Sequence, residues 1–197
     1  MKPETYTHTL KPALDFIISI MVLILFSWLI VLIVLSYMLT LQFPIFFKQP
    51  RLGKNGKVFQ MWKFRTLSVD DTKTLQKRRF ILGDMLRKTN LDELPQLWNI
   101  LKGEMSWVGP RPLPLEYDNL FSSEQRKRFM MKPGITGWAQ VNGRHSIAWK
   151  EKLALDQYYV KNVSLMLDIR IIFKTAGLML SFKKDRSLEE EKFTGAN

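Results

Sequence analysis

Phe16–Leu41 reads FIISIMVLILFSWLIVLIVLSYMLTL, and no charged side chain occurs between residues 16 and 47. As one helix this stretch would run about 39 Å at 1.5 Å per residue, enough to cross a hydrocarbon core of about 30 Å with some tilt. The run is too long for the apolar core of a signal peptide, and no small-residue cleavage site follows it, so it reads as retained. A buried core helix is the lesser alternative, because the segment is long and apolar on every face. The chain thus divides into a membrane-anchoring helix, 1–42, a folded domain, 43–183, and a charged tail, 184–197.

The flanks bear on topology. Lys48, Arg51, Lys54, Lys57, Lys63 and Arg65 follow the apolar run, whereas Lys2 and Lys11 precede it. The heavier downstream side is expected at the cytoplasmic face. A helix that spans and a helix that bends and returns are both open on these residues. Re-entry would put both flanks on one side but needs a break near the middle. No proline lies between 16 and 43, and Ser27 could bend the helix by bonding back to a carbonyl.

Beyond the anchor, FPIFFKQPRLGKNGKVFQMWKFRTL (43–67) places two apolar and aromatic runs around Gly53-Lys54-Asn55-Gly56. Asn55-Gly56 suits positive φ, and the pattern predicts a β-hairpin. Val69–Arg87 is charged and helix-prone, with Asp70 or Asp71 as cap and Phe80, Ile81, Met85 and Leu86 inward. Ser122-Ser123-Glu124-Gln125 reads as a cap opening a short basic helix through Met131. Lys132–Arg144, KPGITGWAQVNGR, is glycine-rich and reads as a ligand-contacting loop or a hairpin. Ser146 is expected to cap a helix to about Lys161, with Trp149, Leu153 and Tyr158 on one side. Ser164–Phe182 is largely apolar with sparse polar positions, suited to a membrane interface or the core. The tail from Lys183 is charged and expected to be mobile. The class predicted is α+β, mainly helical: a membrane-inserted, re-entrant N-terminal helix, and a compact cytoplasmic-face domain with a short β-hairpin and interfacial amphipathic helices.

The chemistry concentrates in Leu91–Pro112, LDELPQLWNILKGEMSWVGPRP. Arg87, Lys88 and Thr89 precede the adjacent carboxylates Asp92-Glu93. With Asn90 as N-cap, Pro95 would fall at the fifth helical position and break a ladder bond. With Asp92 as N-cap, Pro95 falls at the third, whose N–H has no intrahelical partner. Asp92 is therefore predicted to start the helix, at the end that attracts phosphate. Leu94, Leu97, Trp98 and Leu101 would form its buried face, and Lys102-Gly103 its end. An aspartate so placed is by itself more often a structural cap than a catalyst. Prolines on both sides of Arg111 restrict the backbone and limit the entropy lost when it binds an anion.

Composition removes several classes. The chain has no cysteine, which excludes disulfides and thiolate metal sites. His8 and His145 are the only histidines, and neither sits in a nucleophile-type context. A bound metal must then rest on carboxylates, which favours Mg²⁺. The formal net charge of +12 suits nucleic acid, an anionic membrane face or phosphorylated substrates. Nothing organises the basic residues into a groove-reading element, so no nucleic acid is expected.

These pieces together resemble one family. The apolar N-terminus, the Gln49/Arg51/Gly53 hairpin, KFRT at 63–66, LDELPQLWNILKGEMSWVGPRP and KPGITGWAQVNGR are similar to the bacterial sugar transferases known as monotopic phosphoglycosyl transferases. The likeness covers nearly the whole chain. With the EKFTGAN tail (191–197) it extends to the small single-domain members that start N-linked glycan assembly, which hints at a diacetamido sugar. The resemblance implies a Mg²⁺-dependent transfer of a sugar phosphate from a UDP-sugar donor to polyprenyl (undecaprenyl) phosphate at the cytoplasmic face of the bacterial inner membrane. Asp92 matches the family's nucleophile and Glu93 its dyad partner, the two also serving the metal. Arg87, Arg111 and Arg144 match positions expected to bind phosphate or nucleotide, and Lys63 is a further candidate. The chain departs from the family at the bend of the membrane helix, where Ser27-Trp28 stands in place of Ser-Pro. The competing reading is a non-enzymatic membrane-anchored scaffold for glycan-assembly enzymes such as downstream glycosyltransferases.

Overall fold

In the computed structural model the N-terminal apolar run makes two helices rather than one. The structure describes residues 3–70, 72–143, 147–180 and 193–195. After a π-helical stretch, Tyr6–Leu10, helix α1 runs over Lys11–Leu25 and helix α2 over Ser27–Leu39. Phe26, at φ −101° and ψ 10°, separates them. The Ser27 hydroxyl donates to the Ile24 carbonyl at 2.8 Å, giving a partner to a carbonyl at the break. The run is thus a bent pair of helices, with Ser27 at the break and no proline required.

Both arms of the bend return to the same domain. On α1, the Asp15 carboxylate accepts from the Trp107 N–H, and Ser19 Oγ accepts from the Trp107 indole. Asp168 gathers three donors: Tyr6 Oη at 2.6 Å, Lys11 Nζ at 2.5 Å and Tyr159 Oη at 2.7 Å. On α2, Ile33 and Tyr37 pack with Phe64 and Leu86, and the Tyr37 hydroxyl donates to the Arg65 carbonyl. The outer faces stay apolar and exposed, Ile24, Leu25, Trp28 and Leu39 among them. By length and composition, Tyr6–Leu25 could cross a membrane.

Strands β1 (Phe46–Leu52) and β2 (Val58–Phe64) form the predicted antiparallel hairpin, turning through Asn55 at φ 57° and Gly56 at φ 74°. Alternation gives the hairpin two chemistries. Gln49, Arg51, Phe59, Met61 and Lys63 share one face, whereas Phe46, Lys48, Trp62 and Phe64 share the other. A second pairing joins β3 (Ser106–Val108) in parallel to β4 (Gly134–Thr136), so the glycine-rich stretch begins as a strand and not as a hairpin. Gly109 and Gly134 let the two backbones approach. A Cβ on Gly134 would lie 2.1 Å from the Gly109 nitrogen and 2.4 Å from the Thr136 oxygen. Backbone cannot yield as a side chain would. Gly134→Ala is expected to cost about 3 kcal/mol, read as a melting temperature lower by roughly 6–12 °C.

Helix α3 is shorter than predicted, Ile81–Thr89, because Asp70 makes a local turn with Thr72 instead of a cap. The alternative cap Asp71 lies outside the described residues. Leu86 is fully buried and Phe80 packs beside it, but Ile81 and Met85 face outward, against expectation. Helix α4 covers Gln96–Leu101, α5 Trp138–Asn142, α6 Trp149–Asn162 and α7 Leu165–Leu180. Trp98 and Tyr158, predicted inward, are about half exposed. Tyr158 stacks on Trp138 instead. Ser122 and Gln125 exchange the bonds of a capping box, opening a 3₁₀ stretch, Gln125–Met130. The predicted Ser146 cap and residues 181–192 lie outside the described residues. Phe193, expected within a mobile charged tail, is buried among Tyr117, Phe121 and Trp149.

Helix α7 inverts the usual amphipathic order. Asp168 and Ile171 point inward, while Met166, Ile172, Phe173 and Leu180 are exposed. An apolar face of this kind, beside the apolar outer faces of α1 and α2, has the chemistry of an interfacial helix.

Candidate active site

Asn90, in the left-handed region at φ 57°, ends α3 and turns the chain into a 3₁₀ turn, Leu91–Glu93. Asp92 does not cap α4. Glu93 N–H donates to the Asn90 carbonyl and Leu94 N–H to the Leu91 carbonyl, so the donors ahead of Pro95 are already used. Pro95, with no N–H to place, immediately precedes the six-residue α4. The predicted anion seat at a helix start is therefore corrected. The cations around this turn are side chains brought from other elements.

Asn99 anchors the turn from behind. It is fully buried, accepts from the Trp62 N–H at 3.1 Å and donates to the Gln60 carbonyl at 2.7 Å, bonding β2 along its outer edge. That register sets Lys63 against Glu93, Nζ to Oε1 at 2.5 Å. On the other edge of the hairpin, the Leu52 N–H donates to the Leu113 carbonyl and Arg51 Nη1 to the Pro112 carbonyl. The Gly-Pro-Arg-Pro segment is thereby drawn alongside β1. Buried Arg128 fixes it further, its Nη2 donating both to the Arg111 carbonyl at 2.8 Å and to Asp156 at 2.6 Å.

The result is a small cavity of about 30 Å³ lined by Arg51, Lys63, Glu93, Gln96, Arg111 and Gln140, with Gly134 in its wall. Three cationic side chains face one carboxylate. Burial pushes the Glu93 carboxyl up, but Lys63 and Arg111 outweigh it and hold the group below the ordinary glutamate range. Burial, reinforced by Arg111, brings the Arg51 guanidinium down to about 10. At neutral pH the cavity thus keeps Glu93 ionised and Arg51 charged.

The predicted residues separate. Lys63, Glu93 and Arg111 meet in this cavity. Asp92, buried at 7% exposure, occupies the preceding position of the same turn but does not line it. Arg87 is turned to Thr66 Oγ1 at 2.5 Å, likewise outside the lining. Arg144 lies outside the described residues. Arg51, Gln96 and Gln140 were not singled out as site residues. Arg51 stood in a quoted hairpin motif and Gln140 in the glycine-rich one, but only pairing across β1 and β4 brings them together.

The hairpin's opposite face opens on an apolar slot of about 290 Å³, bordered by Leu23, Ile30, Trp62, Leu94, Pro95 and Trp98. It joins both arms of the bent helix to the residues directly following Asp92-Glu93. Lys48 Nζ stands 4.0 Å from the centre of the Trp62 ring. Among the described residues, no group of three or more His, Asp or Glu gathers as a metal cage.

The family profile described as bacterial sugar transferase matches residues 6–182. An uncharacterized sugar transferase, EpsL, of Bacillus subtilis is 40% identical over 95% of this chain and 96% of its own length. An undecaprenyl-phosphate galactose phosphotransferase of Salmonella typhimurium is 37% identical over 87% of this chain and 40% of its own length. A UDP-glucose:undecaprenyl-phosphate glucose-1-phosphate transferase of Klebsiella pneumoniae is 38% identical over 82% of this chain. The chain spans about two fifths of the length of these last two relatives.

Proposed function

The chain belongs to the bacterial sugar transferase family, and from that membership we propose that it is a phosphoglycosyl transferase that moves a sugar 1-phosphate from a UDP-sugar to undecaprenyl phosphate. The observation that carries this reading is the cation-lined cavity at Glu93, set beside buried Asp92 and backed by an apolar slot between the arms of the bent helix. A soluble diphosphate donor and a lipid phosphate acceptor need those two environments next to each other. The relatives' names supply both substrates.

In the proposed reaction a carboxylate oxygen of Asp92 attacks the β-phosphorus of the donor. The bond from that phosphorus to the bridging oxygen breaks, and UMP leaves with the electron pair. A phosphate oxygen of the polyprenyl phosphate then attacks the same phosphorus and returns Asp92 as a carboxylate. Two displacements replace one difficult step. Arg51, Lys63 and Arg111 offset the negative charge of the diphosphate. Glu93, held ionised, orients Lys63. The roles of Asp92 and Glu93, and of Arg87 and Arg144 as phosphate or nucleotide contacts, rest on the match of these positions to the family motifs.

The donor set also fits Mg²⁺. Asp92 and Glu93 offer hard oxygens, and Mg²⁺ arriving with a diphosphate needs only one or two carboxylates, the rest being phosphate oxygens and water. Such an ion would supply further neutralisation of charge on the phosphoryl group. The bent helix and α7 are proposed to seat the chain in the inner membrane by their apolar faces, with the active site at the cytoplasmic side.

A burst experiment tests the two-step scheme. Mixed with UDP-sugar in the absence of acceptor, the enzyme is expected to release about one UMP per chain, and its mass to rise by one sugar phosphate. Release of UMP only when polyprenyl phosphate is present, with no mass change, would replace the covalent scheme with direct transfer.

A further inference from the structure

Two polar atoms at the Glu93 cavity have no partner in the protein: Arg51 Nε and Gln140 Oε1, both buried. Each is set by the rest of its own side chain. Arg51 donates through Nη1 to the Pro112 carbonyl at 3.2 Å and through Nη2 to Gln49 Oε1 at 2.6 Å, leaving Nε over. Gln140 Nε2 donates to the Ile135 carbonyl at 2.9 Å. A carbonyl only accepts, so this bond fixes which way the amide faces and leaves Oε1 as an acceptor. Gly137 keeps the space beside it open, since a Cβ there would lie 2.9 Å from Gln140 Oε1. Leaving a buried donor or acceptor unmet is costly. Two of opposite type in one cavity call for a ligand that accepts at one point and donates at another.

The surroundings narrow that ligand. Three cations against a single carboxylate match the two negative charges of a diphosphate esterified at both ends. A cavity of about 30 Å³ takes about two water-sized groups, not a nucleobase ring. The group that donates to Gln140 must therefore be a hydroxyl close to the phosphates. We propose that Arg51 Nε and Gln140 Oε1 form a two-point recognition pair for the donor substrate: Nε donates to a diphosphate oxygen, and Oε1 accepts from a hydroxyl of the ribose or of the transferred sugar. The pair makes the site discriminate a nucleotide sugar from bare pyrophosphate. This inference rests on the reading that the cavity binds a UDP-sugar.

The test uses the full chain and compares KM for the UDP-sugar with inhibition by inorganic pyrophosphate. Gln140→Leu is expected to raise KM about tenfold while leaving pyrophosphate inhibition unchanged, because pyrophosphate has no hydroxyl to lose. Arg51→Met is expected to weaken both. On the wild-type chain, donors lacking one hydroxyl, either on the ribose or on the sugar, identify the source: one of them binds about tenfold more weakly, and Gln140→Leu no longer tells it from the parent. An unchanged KM in Gln140→Leu, a parallel loss for pyrophosphate, or equal binding of every deoxy donor by the wild type would overturn the proposal. Absence of any UMP release from the wild-type chain would instead remove the transferase reading beneath it. The deoxy series on wild-type protein remains decisive if Gln140→Leu fails to fold.

Discussion

Asp92→Asn is expected to abolish UMP release from the UDP-sugar, lowering turnover by about four orders of magnitude or more, as removal of a covalent nucleophile does. The substitution is chosen for its shape. Asparagine keeps the size and branching of the side chain in a buried position of the 3₁₀ turn, Leu91–Glu93. The turn itself is held by backbone bonds, Glu93 to Asn90 and Leu94 to Leu91, none of which the amide disturbs. An amide, however, is a far weaker nucleophile than a carboxylate toward phosphorus. Measuring UMP release alongside thermal melting separates the two roles an aspartate can have here. A variant that melts normally and releases no UMP supports the nucleophile; one that melts early but still turns over makes Asp92 a structural residue.

Arg128→Met should be the most destabilising of the substitutions considered. Arg128 and Asp156 are 2% and 3% exposed and paired at 2.6 Å. Removing one partner of such a buried pair costs about 3–5 kcal/mol, because the other charge is left without compensation. For a chain of this size that lowers the melting temperature by roughly 6–20 °C. The loss should also reach the site, since Arg128 holds the Arg111 carbonyl. Its pH dependence has a definite sign. Burial pushes the Asp156 carboxyl up and Arg128 only partly reverses this, so the folded group titrates above its unfolded value of 3.8. A carboxyl raised in this way adds stability that is fully present below the unfolded value and lost as pH rises through the folded one. Without Arg128 the carboxyl rises further. The deficit of Arg128→Met relative to wild type is therefore expected to shrink on acidification, measured as the difference in unfolding free energy at two pH values. A deficit that stays constant or grows toward acid would contradict an uncompensated Asp156 as its source.

Local chemistry explains where reading the chain succeeded. The hairpin was legible because Asn55-Gly56 can adopt positive φ, and the capping box because Ser122 and Gln125 need only each other. Helix α3 begins later than its charged, helix-prone residues suggest because Asp70 and Thr72, two residues apart, close a turn that the same residue types can also make. Ile81, Met85 and Trp98 were placed inward because periodicity assumes that apolar means core. Where the fold leaves an apolar face exposed that assumption fails, as α7 also demonstrates with Asp168 inside and Phe173 outside.

The N-terminal run illustrates the division most clearly. Its apolarity, its length and the basic residues after it are legible in the residue order without any fold. Likewise the adjacency of Asp92 and Glu93, and the motifs that tie the chain to its family, are written in the residue order. What residue order left open was which distant groups meet. The bend at Phe26 exists because both arms bury polar anchors, Ser19 and Asp15 on one side and Tyr37 on the other, against a single domain. Arg51, Lys63, Arg111 and Gln140 converge on Glu93 only through an antiparallel pairing, a parallel pairing and a buried arginine. The hairpin carries a local signal in its turn, but the β3–β4 pairing and the Arg128 contacts join segments distant in the chain, and no local preference encodes those. Side-chain type sets what a residue can bond; tertiary packing decides which groups come within reach to bond it.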